Sequence, residues 1–88
     1  MQQKEITVTN KLGLHARPSA LLVKTANNFR SELHIIMDDV EVNGKSIMGV
    51  MTLAAARGSR LVLQADGVDE DYLLEEIAKL FESNFSED

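Results

Sequence analysis

The order in which two hydrophobic periods follow one another along the chain is the strongest constraint on its fold. Four segments show the apolar–polar alternation of half-buried strands, namely residues 4–9, 32–37, 40–42 and 60–65. Three segments have the features of helices, namely residues 16–28, residues 47–53 and the stretch after Asp69. The order β-α-β-β-α-β-α predicts an α+β fold of two layers, with one four-stranded antiparallel sheet and all helices on one of its faces.

The composition limits the class of protein. Eighty-eight residues, 44% of them apolar, are enough for one small domain with a real core, which we expect to span residues 1–88. The chain has no cysteine, which is typical of a reducing compartment and excludes thiolate metal sites. No basic region precedes an apolar run at the start, and no apolar run approaches the ~18–20 residues that cross a bilayer. We therefore expect a cytoplasmic protein without membrane insertion.

The net charge of −5 is unevenly distributed. Residues 1–65 contain eight basic and five acidic side chains and carry +3, whereas residues 66–88 contain one basic and nine acidic side chains and carry −8. The acidic end is typical of a solvated helix face, and the less acidic body is suited to acidic partners. We expect no nucleic-acid binding, because basic residues are not clustered and aromatic residues make up only 5% of the chain.

Residues 13–18, Gly-Leu-His-Ala-Arg-Pro, place a histidine between the first strand and the first helix. A helix start presents unbonded backbone N–H groups and the positive end of the helix dipole, so it is suited to anions. His15 at that place is a nucleophile that can itself accept a phosphoryl group. The guanidinium of Arg17 suits the oxygens of that group, and Pro18 is tolerated in the first helical turn.

No second catalytic group accompanies His15 in the sequence. There is no Walker-type glycine loop, no paired carboxylate and no metal-ligand cluster beside it, and no base or oxyanion arrangement that a histidine-based hydrolase would need. His34 lacks a neighbouring glycine or arginine and is interpreted as a structural or surface residue. A nucleophile with an anion site but no substrate pocket predicts a carrier between enzymes, which is not itself an enzyme and uses no metal or cofactor.

Two motifs together resemble the HPr family, the histidine phosphocarriers of the bacterial phosphoenolpyruvate-dependent phosphotransferase system. Residues 13–20 are similar to its active-site signature and residues 45–51, Lys-Ser-Ile-Met-Gly-Val-Met, to its second signature. The likeness covers nearly the whole chain and implies an open-faced β-sandwich with three helices. It also implies that enzyme I phosphorylates His15 at Nδ1, that Arg17 stabilises the phosphate, and that the group passes to a IIA-type domain.

Ser46 opens the second helix, where serine is a favoured N-cap because its oxygen accepts a backbone N–H. The resemblance implies a further role as a regulatory phosphosite for HPr kinase/phosphorylase. A phosphate at a helix start is stabilised by the local N–H groups, so phosphorylation would leave the fold intact and add negative charge next to a docking surface.

The second helix has more apolar residues than a seven-residue segment can bury. We assign Val50 and Leu53 to the core. The remaining apolar residues are predicted to form an exposed, adaptable patch for partners, joined by two small residues of the first helix. The predicted partner-binding residues are Ile47, Met48, Met51, Ala16 and Ala20. The resemblance places this patch around His15.

Two alternatives remain open within this interpretation. Residues 9–13 and 79–88 are similar to the nitrogen-branch paralogue NPr, which serves regulation, whereas the Ser46 motif is typical of HPr under kinase control. From a different class, the chain could be a regulatory binding module that acts through residues 46–51, with His15 secondary. A monomer is the simplest expectation, and the choice of sugars or regulators belongs to the partners.

Overall fold

The computed structural model describes residues 1–86, in which four strands and three helices form. In chain order the elements are β1 (Gln2–Thr7), α1 (Ala16–Ala26), β2 (Glu32–Met37), β3 (Val40–Asn43), α2 (Ile47–Thr52), β4 (Arg60–Asp66) and α3 (Glu70–Glu82), followed by a short 3₁₀ turn at Asn84–Ser86. The predicted fold class and order of elements are confirmed.

The four strands form one antiparallel sheet in the order β1-β4-β2-β3. The last strand, β4, therefore lies between the first two. The sequence predicts a tight turn at Asp38-Asp39 and hence a hairpin, which β2 and β3 form, with Ile35 opposite Val42 and a φ of 55° at Asp38. Aspartate tolerates this left-handed conformation better than most residues, which accounts for its place in the turn.

The core lies between the sheet and the helices. α1 packs against α2 and α3, and α3 packs against β1 and β4. Alternate residues of the two central strands point into this layer, so the strand alternation in the sequence marks the buried face. The largest fully buried apolar side chains are Leu22, Leu33, Ile35, Leu61, Leu63, Leu73 and Ile77.

The bounds of the first strand differ from the prediction. β1 begins two residues earlier and ends at Thr7. Val8 is buried, but beyond the ladder its N–H donates to the carbonyl of Ser59 (2.9 Å) and its carbonyl accepts from Gly58 N–H (2.8 Å). The sequence pattern predicts a later start because β1 is an exposed edge strand whose first residues show no apolar alternation.

The end of the last helix also differs from the prediction. The apolar residues from Leu73 to Phe85 recur at helical spacing and predict that Phe85 belongs to this helix, but α3 ends at Glu82 and residues Asn84–Ser86 have φ values of 52–60°. This left-handed turn brings Phe85 into the core edge-on against Phe81, with ring centroids 4.9 Å apart. The burial of Phe85 agrees with the prediction, but a left-handed turn and not a continued helix brings its side chain into the core. The acidic tail, residues 86–88, is expected to fray, and Glu87 and Asp88 of that tail lie outside the described residues.

Asp69 lies at the N-cap position of α3, as its sequence position suggests, but its carboxylate does not cap the helix. It accepts hydrogen bonds from the backbone N–H groups of Arg30 (3.0 Å) and Ser31 (2.9 Å) and from the hydroxyl of Ser31. These bonds, the Ser31 hydroxyl foremost, lower the pKa of Asp69 from 3.8 to about 2. The carboxylate thus fastens the loop between α1 and β2 to the start of α3.

Replacing Asp69 with asparagine is expected to lower the melting temperature at pH 7, because the amide supplies one acceptor oxygen in place of a charged carboxylate. Since folding depresses this pKa, the stabilisation is complete above pH 4 and is lost as the pH falls through about 2. Thermal melts of both proteins should therefore converge on acidification. Asp71→Asn, which removes an exposed carboxylate from the first turn of α3, is the control for the loss of one charge. A deficit that persists unchanged at pH 2 would contradict this account.

Candidate phosphorylation site

His15 is the residue that joins the β1–α1 loop to helix α1. It occupies the N-cap position with extended backbone angles (φ −79°, ψ −166°), and its side chain does not cap the helix. The residue is half-buried, and its Nε2 atom is shielded from solvent. The imidazole therefore stands at the positive end of the α1 dipole, where the sequence places it.

The loop that carries His15 is held against the segment between α2 and β4. Gly13 has a φ of 68°, and a Cβ atom there would lie 2.2 Å from the carbonyl oxygen of Ala55 and 2.9 Å from Cα of Ala56. The next residue, Leu14, is buried and donates its backbone N–H to the same Ala55 carbonyl at 2.8 Å. Only glycine combines this backbone conformation with so close an approach, so Gly13 fixes where the loop crosses this segment.

The start of α1 has the geometry of an anion site. The hydrogen-bond ladder of the helix begins where Ser19 N–H donates to the His15 carbonyl at 3.1 Å, so the N–H groups of Ala16 and Arg17 precede it. Pro18 lies in this first turn, as predicted, where it has no N–H to leave unbonded, and its side chain is buried. Arg17 is exposed, and its guanidinium is available to a group bound at the helix start.

The segments around His15 carry no acidic residue. Asp and Glu are absent from residues 6–31 and from residues 42–65, which include α1, α2 and the loops that meet at Gly13. Of the eight basic residues that lie outside the acidic end of the chain, seven fall in these two segments, namely Lys11, Arg17, Lys24, Arg30, Lys45, Arg57 and Arg60. This charge distribution favours a bound phosphoryl group and acidic partners.

Ser46 is the N-cap of α2, as predicted. Its backbone is extended, and its Oγ accepts the backbone N–H of Gly49 at 3.1 Å. The residue is half-buried, and α2 packs against α1. Ser46 and His15 therefore open two helices that are in contact with each other.

The apolar residues of α2 divide as the sequence predicts. Val50 and Leu53 are buried in the core. The exposed apolar residues of the helix, called here the α2 patch, are Ile47, Met48 and Met51, and the exposed fraction of Met48 is 82%. The two small residues of α1 that were predicted to accompany them, Ala16 and Ala20, are exposed as well.

Leu12 is an exposed apolar residue that the predicted partner-binding residues do not include. It lies in the loop just before Gly13 and is 70% exposed. The available signal was an apolar residue within a predicted loop, directly before the histidine motif. Such a residue has no strand or helix face to pack against, and its exposure adds apolar surface to the loop that carries His15.

His34 lies away from this site, on the face of the sheet opposite the core. Its Nδ1 is 2.8 Å from Glu41 Oε2, and its Nε2 is 3.5 Å from Glu32 Oε1. The hydrogen bond to Glu41, followed by that to Glu32, raises the pKa of His34 above its ordinary value. This placement agrees with a surface role for His34 and separates the two histidines.

Two further classes of site were searched for in the described residues. Within residues 1–86, no three His, Asp or Glu side chains are grouped so that they could hold a metal ion. None of the helices in that part of the chain is both long and apolar enough to cross a membrane.

Comparison with known proteins decides the family. The family described as the PTS HPr component phosphorylation site matches residues 2–83. The chain belongs to the HPr family. A phosphocarrier protein HPr of Xylella fastidiosa (strain Temecula1) is 49% identical over 88 residues, which cover 100% of this chain and 99% of that protein. HPr proteins are phosphocarriers of the phosphotransferase system that interact with its enzymes and are not independent enzymes, so the predicted general role is confirmed.

Solved structures of the HPr family share the fold. HPr-C-His of Thermoanaerobacter tengcongensis superimposes with a TM-score of 0.96 at 43% identity and covers 100% of this chain and 99% of its own. Crh of Bacillus subtilis, described as a catabolite repression protein in a domain-swapped dimer, matches with a TM-score of 0.76 at 43% identity, over 96% of this chain and 97% of its own. Because relatives of this kind form dimers, a monomer stays a prediction for this chain.

Proposed function

We propose that His15 accepts a phosphoryl group from enzyme I, which takes it from phosphoenolpyruvate, and passes it to IIA-type domains in the cytoplasm. The observation that supports this most directly is the place of His15 at the start of α1, next to Arg17. The family assignment gives the general role of a phosphocarrier. The whole chain, residues 1–88, would act in this role as one domain without a cofactor.

The acceptor atom in this proposal is Nδ1, because Nε2 is shielded from solvent. Attack requires the neutral ring with its proton on Nε2, so that the Nδ1 lone pair is available. As the bond between Nδ1 and phosphorus forms, the bond from phosphorus to the donor breaks, and its electron pair leaves with the donor. The N–H groups of Ala16 and Arg17, the helix dipole and the Arg17 guanidinium then stabilise the dianion.

A carrier differs from a phosphatase or a kinase substrate because it passes its phosphoryl group to an acceptor protein much faster than it loses the group to water. The protein is expected to be phosphorylated by enzyme I and phosphoenolpyruvate, and to lose the label when an unphosphorylated IIA domain is added. Transfer to a sugar-specific IIA domain and to a nitrogen-type IIA domain should be compared in the same assay, because their relative rates distinguish the HPr and NPr branches. A label that neither IIA domain removes would contradict the carrier role.

The surface that we propose for docking both partners consists of the α2 patch together with Ala16 and Ala20. Its support is the exposure of these small and flexible side chains on two helices that pack together and begin at His15 and Ser46. Met48→Ala is therefore expected to weaken binding of enzyme I about tenfold and to leave the melting temperature unchanged, since the side chain is 82% exposed.

The matched control for this variant is Val68→Ala. Val68 is 87% exposed but follows β4 at the end of that strand opposite to Arg60, away from the loop that holds His15. Calorimetric titration of enzyme I with each variant measures the two affinities. Equal affinities of Met48→Ala and Val68→Ala would remove the α2 patch from the docking surface.

We propose in addition that Ser46 is a regulatory phosphosite, the target of an HPr kinase/phosphorylase. Its support is the N-cap geometry, in which Oγ already accepts Gly49 N–H, so a phosphate there gains a donor without unfolding α2. The added negative charge would stand at the edge of the α2 patch and oppose acidic partners. The alternative of a mainly regulatory binding module uses this same surface, and catabolite repression by the relative Crh favours keeping it as the second candidate.

Ser46→Asp is expected to keep the stability of the protein, because aspartate is also a good N-cap, and to reduce phosphorylation of the protein by enzyme I about tenfold through charge repulsion. Ser46→Asn caps the helix without the charge and serves as the control. Initial rates of phosphorylation at low and high salt measure the effect, which should shrink with added salt. If Ser46→Asp and Ser46→Asn behave alike, charge at this position does not regulate docking.

A further inference from the structure

Buried polar side chains are concentrated at the loop that carries His15. In the part of the chain that the structure describes, the buried polar residues are Asn10, Ser19 and Ser31. Ser31 belongs to the link with Asp69. Burial of a polar side chain is unfavourable unless it forms hydrogen bonds. The hydrogen bonds of Asn10 and Ser19 therefore show which backbone groups these buried side chains hold in place.

Asn10 fixes the peptide group two residues before His15. Its side chain is 2% exposed, and its Nδ2 donates to the carbonyl of Gly13 at 2.7 Å. In return, the backbone N–H of Gly13 donates to the carbonyl of Asn10 at 3.2 Å. Residues 10–13 are thus closed by one backbone bond and one side-chain bond, which hold the Gly13 carbonyl in a single orientation.

Ser19 fixes the next two carbonyls. Its side chain is fully buried, and its Oγ donates to the carbonyl of Leu14 at 3.1 Å. Its backbone N–H donates to the carbonyl of His15, also at 3.1 Å. Together with Asn10, Ser19 therefore holds the three consecutive carbonyls of Gly13, Leu14 and His15.

We propose that Asn10 and Ser19 are positioning residues for the phosphoryl acceptor, an inference that rests on the proposed role of His15. The two peptide planes before His15 set the direction of its Cα–Cβ bond and thereby the place of the ring relative to the N–H groups of α1. In-line attack on phosphorus tolerates little displacement, so loss of either side-chain bond misplaces the nucleophile without removing it.

The test compares Asn10→Ala and Ser19→Ala with a matched control, Asn27→Ala. The Nδ2 atom of Asn27 also donates to a backbone carbonyl, that of Val23, at 2.9 Å, but at the opposite end of α1. Two readouts separate positioning from a merely structural role. They are the ¹⁵N chemical shifts of the His15 ring in the unphosphorylated protein, and the separate kcat and KM values for phosphorylation by enzyme I.

The expected result is a change in the His15 ring shifts and a fall in kcat of about tenfold for Asn10→Ala and Ser19→Ala, with KM within about twofold of wild type. Asn27→Ala should match wild type in both. Should Asn10→Ala not fold, Ser19→Ala decides alone, because alanine fits the buried site and favours the helix. Folded variants with wild-type ring shifts and kcat would overturn the inference.

The ring shifts are measured without phosphoryl transfer, so this test and the proposed function can fail separately. If wild-type protein accepts no phosphoryl group, the proposed function fails, while the ring shifts still report whether Asn10 and Ser19 orient His15. If wild type is phosphorylated and both variants match it, only the positioning role is overturned.

Discussion

Gly13→Ala is expected to lower the free energy of unfolding by about 2–5 kcal/mol, which combines about 1–2 kcal/mol for the left-handed backbone and about 1–3 kcal/mol for overpacking. The added Cβ would lie 2.2 Å from the Ala55 carbonyl oxygen, a backbone atom that cannot rotate away as a side chain can. The loop must therefore move, which breaks the 2.8 Å bond from Leu14 N–H to Ala55 and displaces His15. Phosphorylation by enzyme I should fall with it.

Gly58→Ala is the matched control for this prediction. Gly58 also has a positive φ, 94°, but nothing lies within 4 Å of its Cβ position. It should cost only the backbone contribution of about 1–2 kcal/mol and leave phosphorylation unchanged. Chemical denaturation measures both free energies. Equal losses in the two variants would mean that the close approach at Ala55 does not hold the loop.

Much of the fold could be predicted from the sequence, because most elements bury one face. β2 was predicted at its observed bounds, Glu32–Met37, since Leu33 and Ile35 point into the core and His34 between them does not. The start of β1 is predicted two residues after the observed one, because the first residues of an exposed edge strand show little apolar–polar alternation. The period of a segment reports burial and not hydrogen bonding, so it located central strands better than edges.

The remaining errors have a common physical cause. Local sequence patterns predict that Phe85 belongs to the apolar face of the last helix and that Asp69 caps the start of that helix. In the structure each acts over a distance: Phe85 turns into the core, and Asp69 fastens a loop 38 residues earlier in the chain. Local patterns cannot show such contacts, because they depend on which segments the fold brings together.

The candidate site was predictable where it depends on residue type and position. The helix start at His15, the N-cap at Ser46 and the exposure of Met48 all follow from local rules. The support beneath the site was not predictable in this way. Asn10 and Ser19 have no feature in the sequence that distinguishes them from ordinary loop and helix residues, and only their burial and bonding partners connect them to His15.

His15→Ala is expected to abolish phosphoryl acceptance and to leave the fold intact. The ring supplies the only nucleophile that we propose for the reaction, so no slower route through this site remains. The side chain is half-buried and does not cap α1, and the change in unfolding free energy should therefore stay below about 1 kcal/mol. His34→Ala is the natural control, since it removes the other histidine of the chain, on the opposite face of the sheet.

The measurement that tests the central claim most directly is the intact mass of each protein after incubation with enzyme I and phosphoenolpyruvate, before and after brief acid treatment. Wild type and His34→Ala should each gain the mass of one phosphoryl group and lose it in acid, as a phosphohistidine does, while His15→Ala gains nothing. An equal gain in His15→Ala, or no gain in wild type, would contradict the assignment of His15 as the phosphoryl acceptor.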